Sequence, residues 1–191
     1  MEFYGRQDLL ELLNKRADAL SGGYRQNLAI IGTELIGKTS LLKHWLSKYC
    51  DNHIVTVYIE IRHEEAFSFG ERFIGNLFLS FLKNSHSALK DDIIFLLEKC
   101  EKYIPKTTAS ARKILFKEKN RKTEGLFTKL LELVELFSGE SGKYCVLIFD
   151  EFHLLGWISP KDIYPSWRKH IMLNKNTMYV LLSSKKELAR K

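Results

Sequence analysis

The chain has 191 residues, of which 45% are hydrophobic and 28% charged, with 11 glycines and three prolines. That balance supplies apolar material for one globular domain with a core two or three layers thick, and it excludes collagenous, low-complexity or wholly disordered chains. The formal charge of +7 points to an anionic partner, nucleotide or nucleic acid, yet it is concentrated: Lys99 to Lys122 holds nine Lys/Arg and two Glu, leaving 21 basic and 21 acidic residues elsewhere.

Asp8 to Leu20 sets Leu9, Leu10, Leu12, Leu13, Ala17 and Leu20 at helical spacing, and Ser21-Gly22-Gly23 stops that helix. Asn27 to Ile31 is a short apolar run entering a glycine, the pattern of a buried strand. A helix is predicted over Thr39 to Lys48, with Leu41, Leu42, Trp45 and Leu46 on its inner side. His53 to Ile61 is rich in β-branched residues and reads as a second strand. Helices follow at Phe67–Lys83 and Ala88–Tyr103, then the basic segment, whose run from Ala109 to Lys119 is helix-like. Thr123 to Phe137 is apolar nearly all round, which predicts a well-buried helix ended by a turn at Ser138–Gly142. Tyr144 to Phe149 is a very apolar strand ending in Asp150-Glu151. A helix over Ile163 to Leu173, interrupted at Pro165, precedes a last strand from Met178 to Leu182 that ends in Ser183-Ser184. Strands that alternate with helices and are apolar on both faces predict an α/β fold: a parallel sheet covered by helices. No repeat and no second domain is evident.

Cys50, Cys100 and Cys145 lie far apart, with no CxxC pair and no His at ligand spacing, as in a reduced, cytoplasmic protein. The N-terminus carries no signal-peptide pattern, and no apolar run approaches the roughly 20 residues of a membrane span.

Two motifs carry chemistry. Gly32-Thr33-Glu34-Leu35-Ile36-Gly37-Lys38-Thr39 fits GxxxxGK[ST] and sits between a strand and a helix, with Ser40 next. Its glycines let the backbone wrap phosphate oxygens, the helix N-terminus points N–H groups at them, Lys38 adds a charge, and the Thr39 hydroxyl can ligate Mg²⁺. The second is Cys145-Val146-Leu147-Ile148-Phe149-Asp150-Glu151, a buried strand that delivers two carboxylates to its C-terminal end. Asp150 there suits a Mg²⁺ ligand acting through water, and Glu151 a general base for the attacking water.

With these motifs the chain resembles the P-loop ATPases of the archaeal-type and STAND group, relatives of AAA+ proteins. The resemblance covers nearly the whole sequence: Phe3-Tyr4-Gly5-Arg6 and the leucine-rich helix after it, the Gly32–Thr39 loop, Asp150-Glu151, and the Ser183-Ser184 strand end. Gln7 departs from it, since the family usually has Glu there. The resemblance implies a three-layer αβα sandwich of the P-loop NTPase type, with Phe3 to Arg6 near the adenine and Ser183 or Ser184 sensing the γ-phosphate or water. Read without it, Phe3 and Tyr4 are plain core anchors and the serines a strand-to-loop turn. The family core continues with a further strand, helix and helical lid, so a single domain truncated before them, turning over slowly in isolation, is expected. A homo-oligomer through the nucleotide face is the partner implied, but no arginine for a neighbour's site is evident apart from an unsupported Arg168.

The function expected is a Mg-dependent ATPase acting as a nucleotide-driven switch or motor module. The alternatives are a non-hydrolysing ATP switch for oligomerisation, and a nucleic-acid-binding module with a vestigial nucleotide site. GTP is disfavoured: Asn174-Lys175-Asn176-Thr177 lacks the final Asp of NKxD, and His153 stands where DxxG needs glycine. In the basic segment Arg112, Lys113, Lys117, Lys119, Arg121 and Lys122 could meet nucleic-acid phosphates; the plainer reading is a solvated loop and helix joining two buried helices. The six histidines show no metal spacing, and Trp157 and Trp167 suit packing or a subunit contact.

Overall fold

The computed structural model describes residues 5–83, 92–117, 125–158 and 163–185. Helix α1 (Gln7–Ser21) precedes strand β1 (Leu28–Ile31), helix α2 (Lys38–Lys48), strand β2 (Ile54–Glu60) and helix α3 (Ala66–Lys83). Then come α4 (Ile93–Glu101), α5 (Pro105–Arg112), a π-helical turn (Lys113–Lys117) and α6 (Leu126–Ser141). Strand β3 (Tyr144–Asp150), a 3₁₀ turn (Phe152–Leu154), α7 (Leu155–Ile158), α8 (Ile163–Leu173) and β4 (Thr177–Ser183) complete the order.

The strands form one sheet in the order β1-β4-β3-β2, and all three neighbouring pairs are parallel. Parallel pairing puts every C-terminal strand end on one edge, and β4 lies between the strand that leads into the glycine loop and the strand that ends in the carboxylates. The side-chain alternation of strands sorts the core into two layers. Val146 and Ile148 of β3 face α1 and α2, packing with Leu13, Leu41 and Trp45, while Leu147 and Phe149 face α3, α4, α5, α6 and α8. The expected three-layer αβα sandwich is the observed one. β3 has six buried residues in seven, which is why its sequence is apolar on both faces.

Several helix boundaries differ from the sequence reading: the helix-like run expected over Ala109 to Lys119 begins at Pro105 as α5 and passes into the π-helical turn at Lys113. Asp92 has extended backbone and its side chain accepts the Ile94 N–H at 2.9 Å, so α4 starts at Ile93 and ends at Glu101; Ala88, the expected start, lies outside the described residues. The Ser138–Gly142 stretch is not a turn: α6 runs through Gly139 to Ser141, and the stop is Gly142, whose φ of 68° suits a residue without Cβ. Pro165 does not interrupt α8 but lies in its first turn, where no N–H is required.

The described part of the basic segment is a packed layer. Ile104, Thr107, Thr108, Ala111, Ile114 and Leu115 are buried, and its charges lie at the rim, with Arg112 paired to Glu101 at 3.1 Å. Lys113 is exposed; the Lys117 side chain and Lys119, Arg121 and Lys122 lie outside the described residues. Helix α5 lacks a side-chain cap of its own. Glu140, from the last turns of α6, supplies one, accepting the N–H of Lys106 at 2.8 Å, the N–H of Thr107 at 2.7 Å and the Thr107 hydroxyl at 2.7 Å. Burial alone would raise its pKa, but these hydrogen bonds and the Lys106 charge outweigh that and hold it below the ordinary carboxylate value.

Glu140→Ala removes three hydrogen bonds from α5, and caps of this kind are worth about 1 kcal/mol, a fall of about 2–4 °C in melting temperature for a chain this long. Because the folded carboxyl titrates below its unfolded value, this contribution is present above that value and is lost as pH falls through the folded one. Thermal melts at neutral pH and near pH 3 should show a gap between wild type and variant that closes on acidification; a gap equal at both pH values contradicts the assignment.

Candidate functional site

The loop from Gly32 to Gly37 leaves the end of β1 and turns back into α2. The Gly32 N–H donates to the Ser183 carbonyl at 3.2 Å, which ties the loop to β4. Leu35 has φ 59° and is fully exposed, and Gly37 has φ 87° at the N-cap of α2. Left-handed backbone at these two points folds the loop tightly, and a Cβ at Gly37 would be strained by its backbone. No side chain caps α2. The N–H groups of its first turn, at Lys38, Thr39 and Ser40, therefore point outward with the positive end of the helix dipole and can receive an anion.

Lys38 is buried, and its ammonium donates to the Gly32 and Thr33 carbonyls, both at 2.8 Å. Arg6, left-handed at φ 59° after Gly5 at 89°, reaches across to donate to the Ile36 carbonyl. Gly5 and Arg6 thus stand beside the loop; Phe3 and Tyr4 lie outside the described residues. A cleft of about 430 Å³ opens here, lined by Glu34, Leu35, Gly37, Lys38, Thr39, Ser40 and Glu151.

The carboxylates come from β3. Asp150 is 2% exposed, and its Oδ2 accepts the Thr39 hydroxyl at 2.6 Å and the Tyr58 hydroxyl at 2.7 Å, while Oδ1 accepts the Glu151 N–H at 2.9 Å. Thr39 spends its proton on Asp150 and keeps its oxygen lone pairs for a cation, so the donor set suits Mg²⁺ held by Thr39 with Asp150 one shell out. Among the described residues no group of three or more His, Cys, Asp or Glu could form a protein cage for a metal. Magnesium needs none, since it is commonly held by one or two protein groups together with substrate phosphates.

Glu151 follows with φ 52°, a conformation uncommon for a side chain of this size. Its Oε2 accepts the Ser184 hydroxyl at 2.8 Å and lies 3.2 Å from His153 Nδ1. Ser183, the other serine of the strand end, is buried, and its hydroxyl donates to the Lys185 carbonyl at 3.1 Å. The fold therefore gathers Lys38, Thr39, Ser40, Asp150, Glu151 and Ser184 from the first turn of α2 and the ends of two strands, β3 and β4. Arg168 is exposed on α8 and joins no site contact among the described residues. Trp167 is buried against Tyr179, Phe127 and Phe152, a packing residue; Trp157 is 73% exposed and meets His63 edge-on.

Two site residues escaped the sequence reading. Tyr58 lies 92 positions from Asp150, and only the β2–β3 register brings them together. Burial, with Asp150 accepting its hydrogen bond and adding negative charge, pushes the Tyr58 phenol far above its usual value, so it stays a neutral donor. His153 lies only three residues past Asp150, a signal that was available, but it has no spacing to any second ligand. Burial lowers its pKa, an effect that outweighs the opposing Glu151 charge, so the neutral ring prevails at neutral pH.

No curated protein matches the chain. Residues 2–163 match a family described as the AAA ATPase domain. That span takes in the glycine loop, both carboxylates and the parallel strands β1 to β3, and no helix among the described residues is long and apolar enough to cross a membrane. The chain belongs to the AAA ATPase domain family.

Proposed function

We propose that the chain binds ATP together with Mg²⁺ and hydrolyses it, acting as a nucleotide-driven switch or motor module. The observation that carries this reading is the convergence of Lys38, Thr39 and Glu151 on one cleft, with Asp150 hydrogen-bonded to Thr39 behind it. A loop and helix N-terminus alone would suit any phosphate. An adjacent second carboxylate is what a hydrolase needs and a mere binder does not.

In this reading the triphosphate lies along the Gly32–Gly37 loop and the first turn of α2, with Lys38 moving a donor from the loop carbonyls to the β/γ-phosphates. Thr39 and Asp150 would hold the metal, which when bound would neutralise charge on the phosphates. Gly5 and Arg6 flank the loop on the side where the nucleoside would extend. Glu151 accepts a proton from the water as its oxygen attacks the γ-phosphorus and the bond to the β-phosphate oxygen breaks, giving ADP and phosphate. Ser184 orients Glu151. Tyr58 fixes Asp150.

Lys38→Ala should weaken nucleotide binding by about tenfold to a hundredfold, read by calorimetry, as expected for loss of a charged hydrogen bond. Glu151→Gln should bind normally and lose turnover by about a hundredfold or more, read by phosphate release; turnover equal to wild type would remove the base from the mechanism. Tyr58→Phe takes one donor from Asp150, worth about 1 kcal/mol or about fivefold in affinity for the magnesium complex. Binding of ATP in excess EDTA should be unchanged in that variant, which separates metal positioning from a general loss of fold.

A further inference from the structure

The surroundings of His153 fix more than its location. Its ring is almost fully enclosed, with 6% of the side chain exposed, and Nδ1 faces two oxygens: Glu151 Oε2 at 3.2 Å and Ser183 Oγ at 3.5 Å. The Ser183 hydroxyl has two acceptors within reach, the Lys185 carbonyl at 3.1 Å and Nδ1 itself, and its oxygen accepts the Lys185 N–H at 3.2 Å. An ionised Glu151 can only accept, and it already accepts from Ser184 at the same Oε2. The nearer neighbour of Nδ1 is therefore an acceptor, and a lone pair on Nδ1 would face the carboxylate's own. A proton on Nδ1 is what makes the contact with Glu151 attractive. The charged groups that act on the ring, Glu151, Lys185, Glu34 and Lys38, are mixed in sign, so no single one sets its state.

We propose that His153 is a positioning residue for Glu151: held as the Nδ1–H tautomer, it fixes Oε2 jointly with Ser184 and leaves Oε1 as the oxygen presented to water. The inference rests on the reading of Glu151 as the base. The strained backbone at Glu151 gives the device its purpose. Oε2 accepts the Ser184 hydroxyl at 2.8 Å and lies 3.2 Å from Nδ1, and two groups drawn to one oxygen restrict the rotation that would turn the carboxylate away from the cleft.

The test exploits the shapes of amides. Asn places an N–H where Nδ1 stands, whereas Gln places one near Nε2. His153→Leu and His153→Gln should lower kcat by about tenfold or more while leaving nucleotide affinity and KM within about twofold, and His153→Asn should restore most of the rate. Full kcat in the Leu variant, or equal loss in the Asn and Gln variants with unchanged melting temperatures, overturns the proposal. A second readout needs no turnover and keeps the test decisive if a variant fails to fold. Nitrogen-15 NMR of the imidazole in the wild-type chain should report Nδ1–H, and Glu151→Ala should shift the ring toward Nε2–H; an Nε2–H ring in the wild type overturns it. Glu151→Gln measured alongside separates the two claims. If that variant turns over normally, the base assignment fails. If it is inactive while His153→Leu is fully active, only the positioning role fails.

Discussion

The Asp150 carboxylate is buried at the end of β3, and every donor it uses comes from a different place: Thr39 on α2, Tyr58 on β2, and the backbone N–H of Glu151. A charge taken out of water is tolerable only when its lone pairs are filled, and removing one donor from a buried acceptor costs about 1–3 kcal/mol. The requirement works in both directions. To satisfy Asp150, α2 must dock so that its second residue meets the sheet, which sets where the glycine loop lies. β2 must pair in a register that brings Tyr58 level with Ile148, two residues short of Asp150, so that its long side chain can reach along the strand. The glycine loop and the carboxylate strand are separated in the sheet by β4, so this bond between side chains joins what the backbone ladder does not.

The period of a strand makes the adjacent carboxylates a geometric problem. Successive side chains alternate faces, so Phe149 enters the layer of α3 and α6 and Asp150 turns toward α2. Were the strand to continue, Glu151 would follow Phe149 to the wrong face. The left-handed backbone at Glu151 breaks the alternation and returns its carboxylate to the cleft that Lys38 and Thr39 line. Strain here is the means by which two neighbours in sequence come to serve one side of the sheet.

What could be read from sequence follows from how local the determinants are. The four strands, the glycine loop and the Asp150-Glu151 pair were legible because each is a contiguous pattern with its own physics. Helix α6 was cut short at Ser138-Gly139 because a mid-helix glycine costs only about 1 kcal/mol against alanine, too little to end a helix whose Phe137 and Ser138 are buried. The segment from Lys99 reads as solvated because its charges outnumber its apolar residues. Buried Thr107 and Thr108 looked polar, and the carboxylate that receives the Thr107 hydroxyl sits 33 positions away. Tyr58 was invisible for the same reason: in sequence it is one more aromatic in a strand, and its role exists only after β2 and β3 pair. Where a contact spans elements, composition carries no trace of it.

The strained turn at Glu151 is affordable because both of its flanks are anchored in the opposite layer. Phe149 and Phe152 sit 6.5 Å apart, ring to ring, and both meet Trp167, at 5.4 Å and 5.1 Å; Trp167 in turn stacks edge-on against Tyr179 of β4 at 4.8 Å. Each such aromatic pair contributes about 0.5–1.5 kcal/mol beyond burial, against about 1–3 kcal/mol for a residue held in a sparsely populated backbone region. The packing therefore outweighs the strain, and it does so from the face that has no part in the chemistry. Because Trp167 also bridges to β4, the strand that ends in Ser183 and Ser184, the same aromatic cluster sets the distance between Glu151 and the hydroxyl that holds it. The layer of α6 and α8 thus supports the cleft from behind the sheet, while α2 and its glycine loop line it in front.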